Sequence, residues 1–139
     1  MENKAIAGYK SASITSADPV TITTMLFDGC VKALKKSQLY EQAGNHQKFL
    51  DEAQRAQLII GELLSSLDLE VGGEIAQNLQ AIYVYCMKTI IEATLEGPEK
   101  IADVIIHMDR IATAWKTATA ELAANGEMPV RPNASSSVA

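Results

Sequence analysis

Apolar side chains recur every three or four positions in four successive segments of the chain, and short polar interruptions separate the segments. This spacing places the apolar residues of each segment on one face of an α-helix. The four stripes are Ile22, Met25, Leu26, Gly29, Cys30, Ala33 and Leu34; Phe49, Ala53, Ala56, Ile60, Leu63 and Leu67; Ile75, Leu79, Ile82, Cys86, Ile90 and Ala93; and Ile101, Ile105, Met108, Ala112, Trp115, Thr119 and Leu122. The pattern predicts four long amphipathic helices.

Residues with strong end-capping preferences separate these helices. Asp18-Pro19 combines an N-cap acceptor with a residue that suits the first helical position, and Gly44-Asn45 ends the first helix and caps the second. Glu70-Val71-Gly72-Gly73 interrupts the pattern before the third stripe. Gly97-Pro98 ends the third helix, and Asn125-Gly126 ends the fourth.

The short connections determine the predicted architecture. Helices joined by only a few residues must run antiparallel to their sequence neighbours. We therefore expect an all-α, up-down-up-down four-helix bundle over residues 18–125, with helices roughly 35 Å long. Residues 1–17 form a short N-terminal capping segment that docks conditionally, and the polar tail over 126–139 is predicted to be disordered.

Length and charge narrow the possible functions. The 139 residues suffice for one domain, and a net charge of −5 disfavours nucleic acid or an acidic membrane surface as partner. The sequence lacks a signal peptide and any uncharged apolar run of about 18 residues. We expect a cytoplasmic protein without membrane insertion, in which Cys30 and Cys86 are reduced core residues.

Residues for catalysis or metal binding are missing from the predicted helices. A di-iron bundle requires Glu-x-x-His pairs, but the residues three positions before His46 and His107 are Ala43 and Val104. Neither a nucleophile set nor a phosphate-binding loop is present in the sequence. We predict no catalytic residue, no cofactor and no metal site.

His107 and a lysine cluster each suggest a weaker alternative. A basic residue three positions after a helical histidine is typical of phosphotransfer bundles, but Ile111 follows Arg110 where those bundles have glycine. A solvated pair of His107 with Asp103 is the favoured interpretation. Another short segment contains Lys32, Lys35 and Lys36, which we interpret as a solvated face of the first helix.

Two helices carry more apolar residues than one buried stripe requires. The surplus residues are Val20, Phe27, Val31 and Leu34 on the first helix, Leu58 on the second, and Val84, Met87 and Ile91 on the third. They are scattered surface residues, or residues covered by the N-terminal segment, or grooves that bind the apolar faces of a partner's helices. A third alternative is a structural bundle that self-associates through these outer stripes.

Several motifs resemble the flagellar secretion chaperone family FliS. They are the run from Tyr9 through Ile14, Pro19, Ile22 and Met25-Leu26-Phe27-Asp28-Gly29; Ala53, Ala56, Ile59-Ile60, Glu62-Leu63 and Leu67-Asp68; and Gly72-Gly73-Glu74-Ile75-Ala76, Asn78-Leu79, Ile82-Tyr83, Tyr85, Ala93 and Ala114-Trp115-Lys116. The resemblance extends over residues 5–122 without a large gap.

The resemblance implies a function for the surplus residues. Members of this family bind the C-terminal region of flagellin in the bacterial cytosol, prevent its premature polymerisation and present it to the flagellar type III export apparatus. An export gate component and other flagellar regulators are further implied partners. The resemblance implies a monomer, with a homodimer as the alternative.

Eight residues are the predicted contacts with flagellin. Ile6, Tyr9 and Ile14 would form a mobile cover, and the groove residues are Phe27, Val31, Val84, Met87 and Ile91. The roles of Tyr83 and Tyr85 stay open between support of the bundle and contact with the partner.

Overall fold

The computed structural model describes residues 18–126, which form four α-helices and one turn of 3₁₀-helix. The elements are α1 (Pro19–Gln42), α2 (His46–Ser65), α3 (Leu69–Leu95), the 3₁₀ turn (Pro98–Lys100) and α4 (Ile101–Ala124). The predicted all-α four-helix bundle is confirmed, and residues 18–126 contain no strand. The predictions for the N-terminal segment over 1–17 and for the tail from residue 127 onward concern residues outside this range.

Each helix packs against two others. The first helix, α1, contacts α2 and α4, and α3 also contacts α2 and α4. Helices α1 and α3 therefore occupy opposite corners of the bundle. Because residues 43–45 and 66–68 are the only connections between the first three helices, consecutive helices run antiparallel, as the short polar interruptions predicted.

Side-chain caps begin three of the four helices. Asp18 Oδ1 accepts a hydrogen bond from the Thr21 N–H at 2.8 Å, and Asn45 Oδ1 accepts one from the Lys48 N–H at 3.2 Å. Asp68 caps α3 by accepting from two backbone N–H groups. These bonds satisfy donors that have no partner within the helix itself. The predicted starts of α1 and α2 are confirmed.

A single glycine interrupts α3. Gly73 has φ 54° and ψ −132°, while helical backbone continues on both sides of it. A positive φ is unfavourable for residues that carry a Cβ, so this break requires glycine. The predicted interruption is confirmed, but α3 begins at Leu69, before the break.

One residue near the start of α3 differs from its predicted position. Ile75 lies two residues after the break at Gly73 and is 66% exposed, whereas its neighbour Ala76 is fully buried. The prediction that Ile75 faces the core is wrong, because the helix presents Ala76 to the core just after this break.

Aliphatic side chains dominate the core, in line with the 5% aromatic content of the sequence. The few large aromatic side chains in it are Phe27, Phe49, Tyr83 and Trp115, and Tyr83 is the largest of the fully buried side chains. The Thr24 hydroxyl donates to the Val20 carbonyl at 2.9 Å and accepts a hydrogen bond from Trp115 Nε1 at 2.8 Å. This polar contact joins α1 to α4.

Both cysteines are buried and unpaired by disulfide, which confirms the prediction that they pack in the core. Burial raises the pKa of both thiols, because a thiolate is poorly solvated away from water, and the pKa of Cys86 rises to about 12. Both side chains therefore pack as neutral thiols.

Replacement of the α1 cap is expected to lower stability in a pH-dependent way. Asp18→Ala removes the acceptor for the Thr21 N–H and should lower the free energy of unfolding by about 1 kcal/mol. The backbone hydrogen bond from Thr21 lowers the pKa of Asp18, so its stabilisation is present above the unfolded-state pKa and disappears as the pH falls through the folded-state value. Urea unfolding followed by circular dichroism at pH 7 and near pH 3 measures this difference.

Asp18→Asn is the matched control, because asparagine caps helices without an ionisable group. It should retain most of the stability at neutral pH. Equal stability of wild type and Asp18→Ala at pH 7 would contradict the assigned capping role.

Candidate partner-binding site

A row of apolar side chains on α3 faces solvent. We call Val84, Met87, Ile91 and Leu95 the α3 stripe. Val84 is 51%, Ile91 50% and Leu95 79% exposed, whereas Met87 is half-buried. The opposite face of α3 packs into the core, so the helix has no second partner among residues 18–126 to cover this row.

A shallow groove borders the α3 stripe. This α2/α3 groove has a volume of about 280 Å³ and is lined by Leu50, Ala53, Gln54, Gln57, Ile90, Ile91 and Thr94. Ile91 belongs to both surfaces, which makes them continuous. Because Gly61 has no side chain, α2 leaves room beside Met87 at the other end of the stripe.

One polar atom of the groove lacks a partner. The side-chain oxygen of Gln57 is shielded from solvent and accepts no hydrogen bond within the described part of the chain. An unpaired buried acceptor is unfavourable by about 1–3 kcal/mol. Because protein atoms cover this oxygen, the accessible surface of the groove is mostly apolar.

Phe27 and Val31 are buried rather than exposed on the surface of α1. Phe27 is 1% and Val31 9% exposed, and both belong to the hydrophobic core. The Phe27 ring lies against Trp115 of α4, with centroids 6.0 Å apart. The prediction that these residues face away from the core is wrong.

The error lies in the orientation assigned to α1. Its buried positions centre on Cys30 and Leu34 rather than on Ile22, Met25 and Gly29. They extend over roughly 200° of the helix circumference at about 100° per residue, because α1 packs between α2 and α4. The buried residues are Thr23, Leu26, Phe27, Gly29, Cys30, Val31, Ala33, Leu34 and Ser37.

The predicted groove residues on α3 occupy one surface. Val84, Met87 and Ile91 lie together on the α3 stripe, as their spacing indicated. The predicted cover residues Ile6, Tyr9 and Ile14 lie outside residues 18–126. Sequence analysis missed Leu95, although it follows Ile91 by four positions and continues the same row. Its proximity to the Gly97-Pro98 helix end obscured this signal.

The two tyrosines have different environments. Tyr83 is fully buried, whereas Tyr85 is 46% exposed and its hydroxyl donates to Asp103 of α4. This hydrogen bond raises the pKa of Tyr85, because it favours the protonated phenol. Tyr83 therefore supports the bundle, and Tyr85 links α3 to α4 at the surface.

His107 forms the predicted pair with Asp103. Its Nε2 lies 3.7 Å from Asp103 Oδ1, and the ring meets Tyr85 edge-on, with centroids 5.4 Å apart. The three side chains form a surface cluster between α3 and α4.

No three histidine, cysteine or acidic side chains within residues 18–126 are placed to share a metal ion. No helix in the same range is both long enough and apolar enough to span a bilayer.

Comparisons with known proteins identify the family of this chain. The family model described as "Flagellar protein FliS" matches residues 1–122. The chain is 36% identical over 111 residues to the flagellar secretion chaperone FliS of Escherichia coli K12, covering 78% of this chain and 81% of that protein. The Salmonella typhimurium FliS is 35% identical, covering 76% of this chain and 79% of the relative.

A more distant relative extends the same similarity. The Vibrio cholerae FliS is 32% identical over 115 residues, which cover 79% of this chain and 85% of the relative. The fold and its exposed surface define an all-α bundle with an apolar face available to a partner. The chain belongs to the FliS family of flagellar secretion chaperones.

Truncating one valine in the core and one on the α3 stripe tests the corrected orientation of α1. Val31→Ala should lower the free energy of unfolding by about 2 kcal/mol, because it removes buried methyl groups and leaves a cavity. Val84→Ala removes the same atoms from an exposed position and should change stability by less than about 0.5 kcal/mol. Denaturant unfolding of both variants measures these changes. Equal losses in the free energy of unfolding would refute the assignment of Val31 to the core and Val84 to the surface.

Proposed function

We propose that this chain is a flagellin-specific export chaperone that binds the C-terminal region of flagellin along the α3 stripe and the α2/α3 groove. The row Val84, Met87, Ile91 and Leu95 is the observation that carries this proposal. Family membership supports the chaperone class. The row and its neighbouring groove supply a surface for a polypeptide client.

The geometry suits an amphipathic helix. The stripe spans three helical turns, about 16 Å at 1.5 Å per residue, and presents side chains at intervals of three and four positions. A client helix with the same spacing can exclude water from both surfaces. Because a disordered client loses conformational entropy on binding, extended apolar contact is needed for useful affinity.

Occupation of this surface would explain how the chaperone acts. The apolar face of flagellin would contact α3 instead of another flagellin, so polymerisation in the cytosol would be prevented. Ile6, Tyr9 and Ile14 would extend the contact as a mobile cover. The complex would then deliver its client to the flagellar type III export apparatus, with an export gate component and other flagellar regulators as further partners.

Binding of this kind requires no covalent bond to be made or broken. The chaperone would work without a catalytic residue or cofactor, through the free energy gained when apolar surface leaves water. The partner helix would be released when it finds a more favourable environment elsewhere.

Two acidic substitutions on the α3 stripe should weaken flagellin binding. Val84→Asp with Ile91→Asp would place carboxylates where the client buries apolar side chains, so we expect at least a tenfold higher Kd for a peptide of the cognate flagellin's C-terminal region. Titration calorimetry measures the affinity, and circular dichroism should show unchanged helix content because both positions are about half exposed.

A matched control introduces the same two carboxylates elsewhere. Leu39→Asp with Ile106→Asp changes apolar residues that are 64% and 48% exposed on α1 and α4, and it should retain wild-type affinity. Unchanged binding by the α3 variant, or equal loss by the control, would refute the proposed surface. A concentration-dependent dimer in sedimentation, disrupted by the α3 substitutions without any effect on peptide binding, would favour self-association instead.

A further inference from the structure

A second groove lies between α1 and α4, away from α3. It has a volume of about 440 Å³ and is lined by Asp28, Val31, Lys32, Lys35, Lys36, Leu39, Asp109, Ala112, Thr113 and Lys116. Val31 and Ala112 are buried, and Leu39 is 64% exposed. The groove therefore has an apolar base and a largely charged rim.

The charge of this groove is opposite to that of the whole protein. Its lining contains four lysines and two aspartates, a local excess of positive charge on a chain of net charge −5. Lys116 Nζ lies 2.6 Å from Asp28 Oδ1. The ion pairs among residues 18–126 include neither Lys32, Lys35 nor Lys36, so these three cations are available to an external anion.

The lysines are arranged along the axis of α1. Lys32, Lys35, Lys36 and Leu39 are separated by the three- and four-residue steps that place them on one helix face. With Asp28 they extend over about 16 Å, the length of three helical turns. This row matches a helical ligand that carries apolar residues on one side and carboxylates beside them.

The segments outside the described range are poor candidates for this groove. Residues 1–17 contain two lysines and one glutamate, and residues 127–139 contain one arginine and one glutamate. Neither segment carries the excess of acidic side chains that the lysine row would attract. Charge complementarity instead favours another protein.

We infer that the α1/α4 groove binds an acidic amphipathic helix of a second protein, at a surface separate from the α3 stripe. Leucine-type side chains of this partner would contact Val31, Leu39 and Ala112, while its carboxylates would pair with the three lysines. Nucleic acid fits less well, because two aspartates lie in the groove and no aromatic ring lines it for base stacking. This inference does not depend on flagellin being the client of α3.

A synthetic peptide provides a direct probe. The peptide has 14 residues, with leucines spaced by three and four positions and glutamates on both sides of them, and it carries a fluorescein label. Fluorescence anisotropy should detect its binding to the full-length protein at low salt. The affinity should fall as the NaCl concentration rises, because salt screens exposed charge pairs.

Charge reversal in the groove tests the location. Lys32→Glu with Lys35→Glu should raise the Kd of the acidic peptide at least tenfold. Lys48→Glu with Arg110→Glu changes the net charge equally at exposed positions outside the groove, and it should shift the Kd less than twofold. Circular dichroism checks that both variants remain folded.

Four outcomes would overturn the inference. The first is equal affinity for a control peptide that has lysine in place of glutamate. The second is an equal loss of affinity in the control variant and the groove variant. The third is loss of binding in Val84→Asp with Ile91→Asp, which would place the peptide on α3. Tighter binding of a short DNA duplex through Lys32 and Lys35 would also overturn it, since the groove would then be a nucleic-acid site.

Discussion

A helix at the corner of a four-helix bundle buries only part of its circumference. The apolar residues of α3 cover a wider arc than its neighbouring helices can bury. Its buried positions, from Ala76 to Ala93, span roughly 140° of the helix at about 100° per residue. The contacts of α3 with α2 and α4 cover the whole of this arc. Val84, Ile91 and Leu95 therefore stay in water while the bundle itself remains well packed, and the exposed α3 stripe is a consequence of this geometry.

Helix α1 has a similar apolar surplus but a different environment. Gly29 and Ala33 are small and buried, and Phe27 packs against Trp115 on the side of α4. The wide buried arc of α1 places these apolar residues inside the bundle. At the edge of this arc the polar residues Lys32, Lys35 and Lys36 remain outside, so the exposed surface of α1 is cationic while that of α3 is apolar. The two halves of the bundle thus offer chemically distinct surfaces.

The features that could be predicted from sequence are those set by local interactions. Asp18, Asn45 and the glycines at helix ends act within a few residues of their own positions, so the helix boundaries followed from them. The row Val84, Met87 and Ile91 was predictable because it repeats within one helix. The family motifs, which include Gly72-Gly73 and Trp115, extended the prediction to the class of protein.

The features that sequence did not predict depend on how helices fit together. Whether Phe27 is inside or outside depends on the position of Trp115, nearly ninety residues away in the chain. Ile75 has the spacing of a core residue, but it follows the break at Gly73, where Ala76 is buried instead. The α2/α3 groove likewise is lined by residues of two helices, so it has no signature within one segment.

Trp115 gives the protein an intrinsic fluorescence signal that depends on its structure. It is the only tryptophan in the sequence, and its indole is shielded from water where it contacts Thr24 and Phe27. Emission from this ring therefore depends on the seam between α1 and α4, and it shifts to longer wavelength only when that seam opens. An intrinsic fluorescence signal thus follows the separation of these two helices.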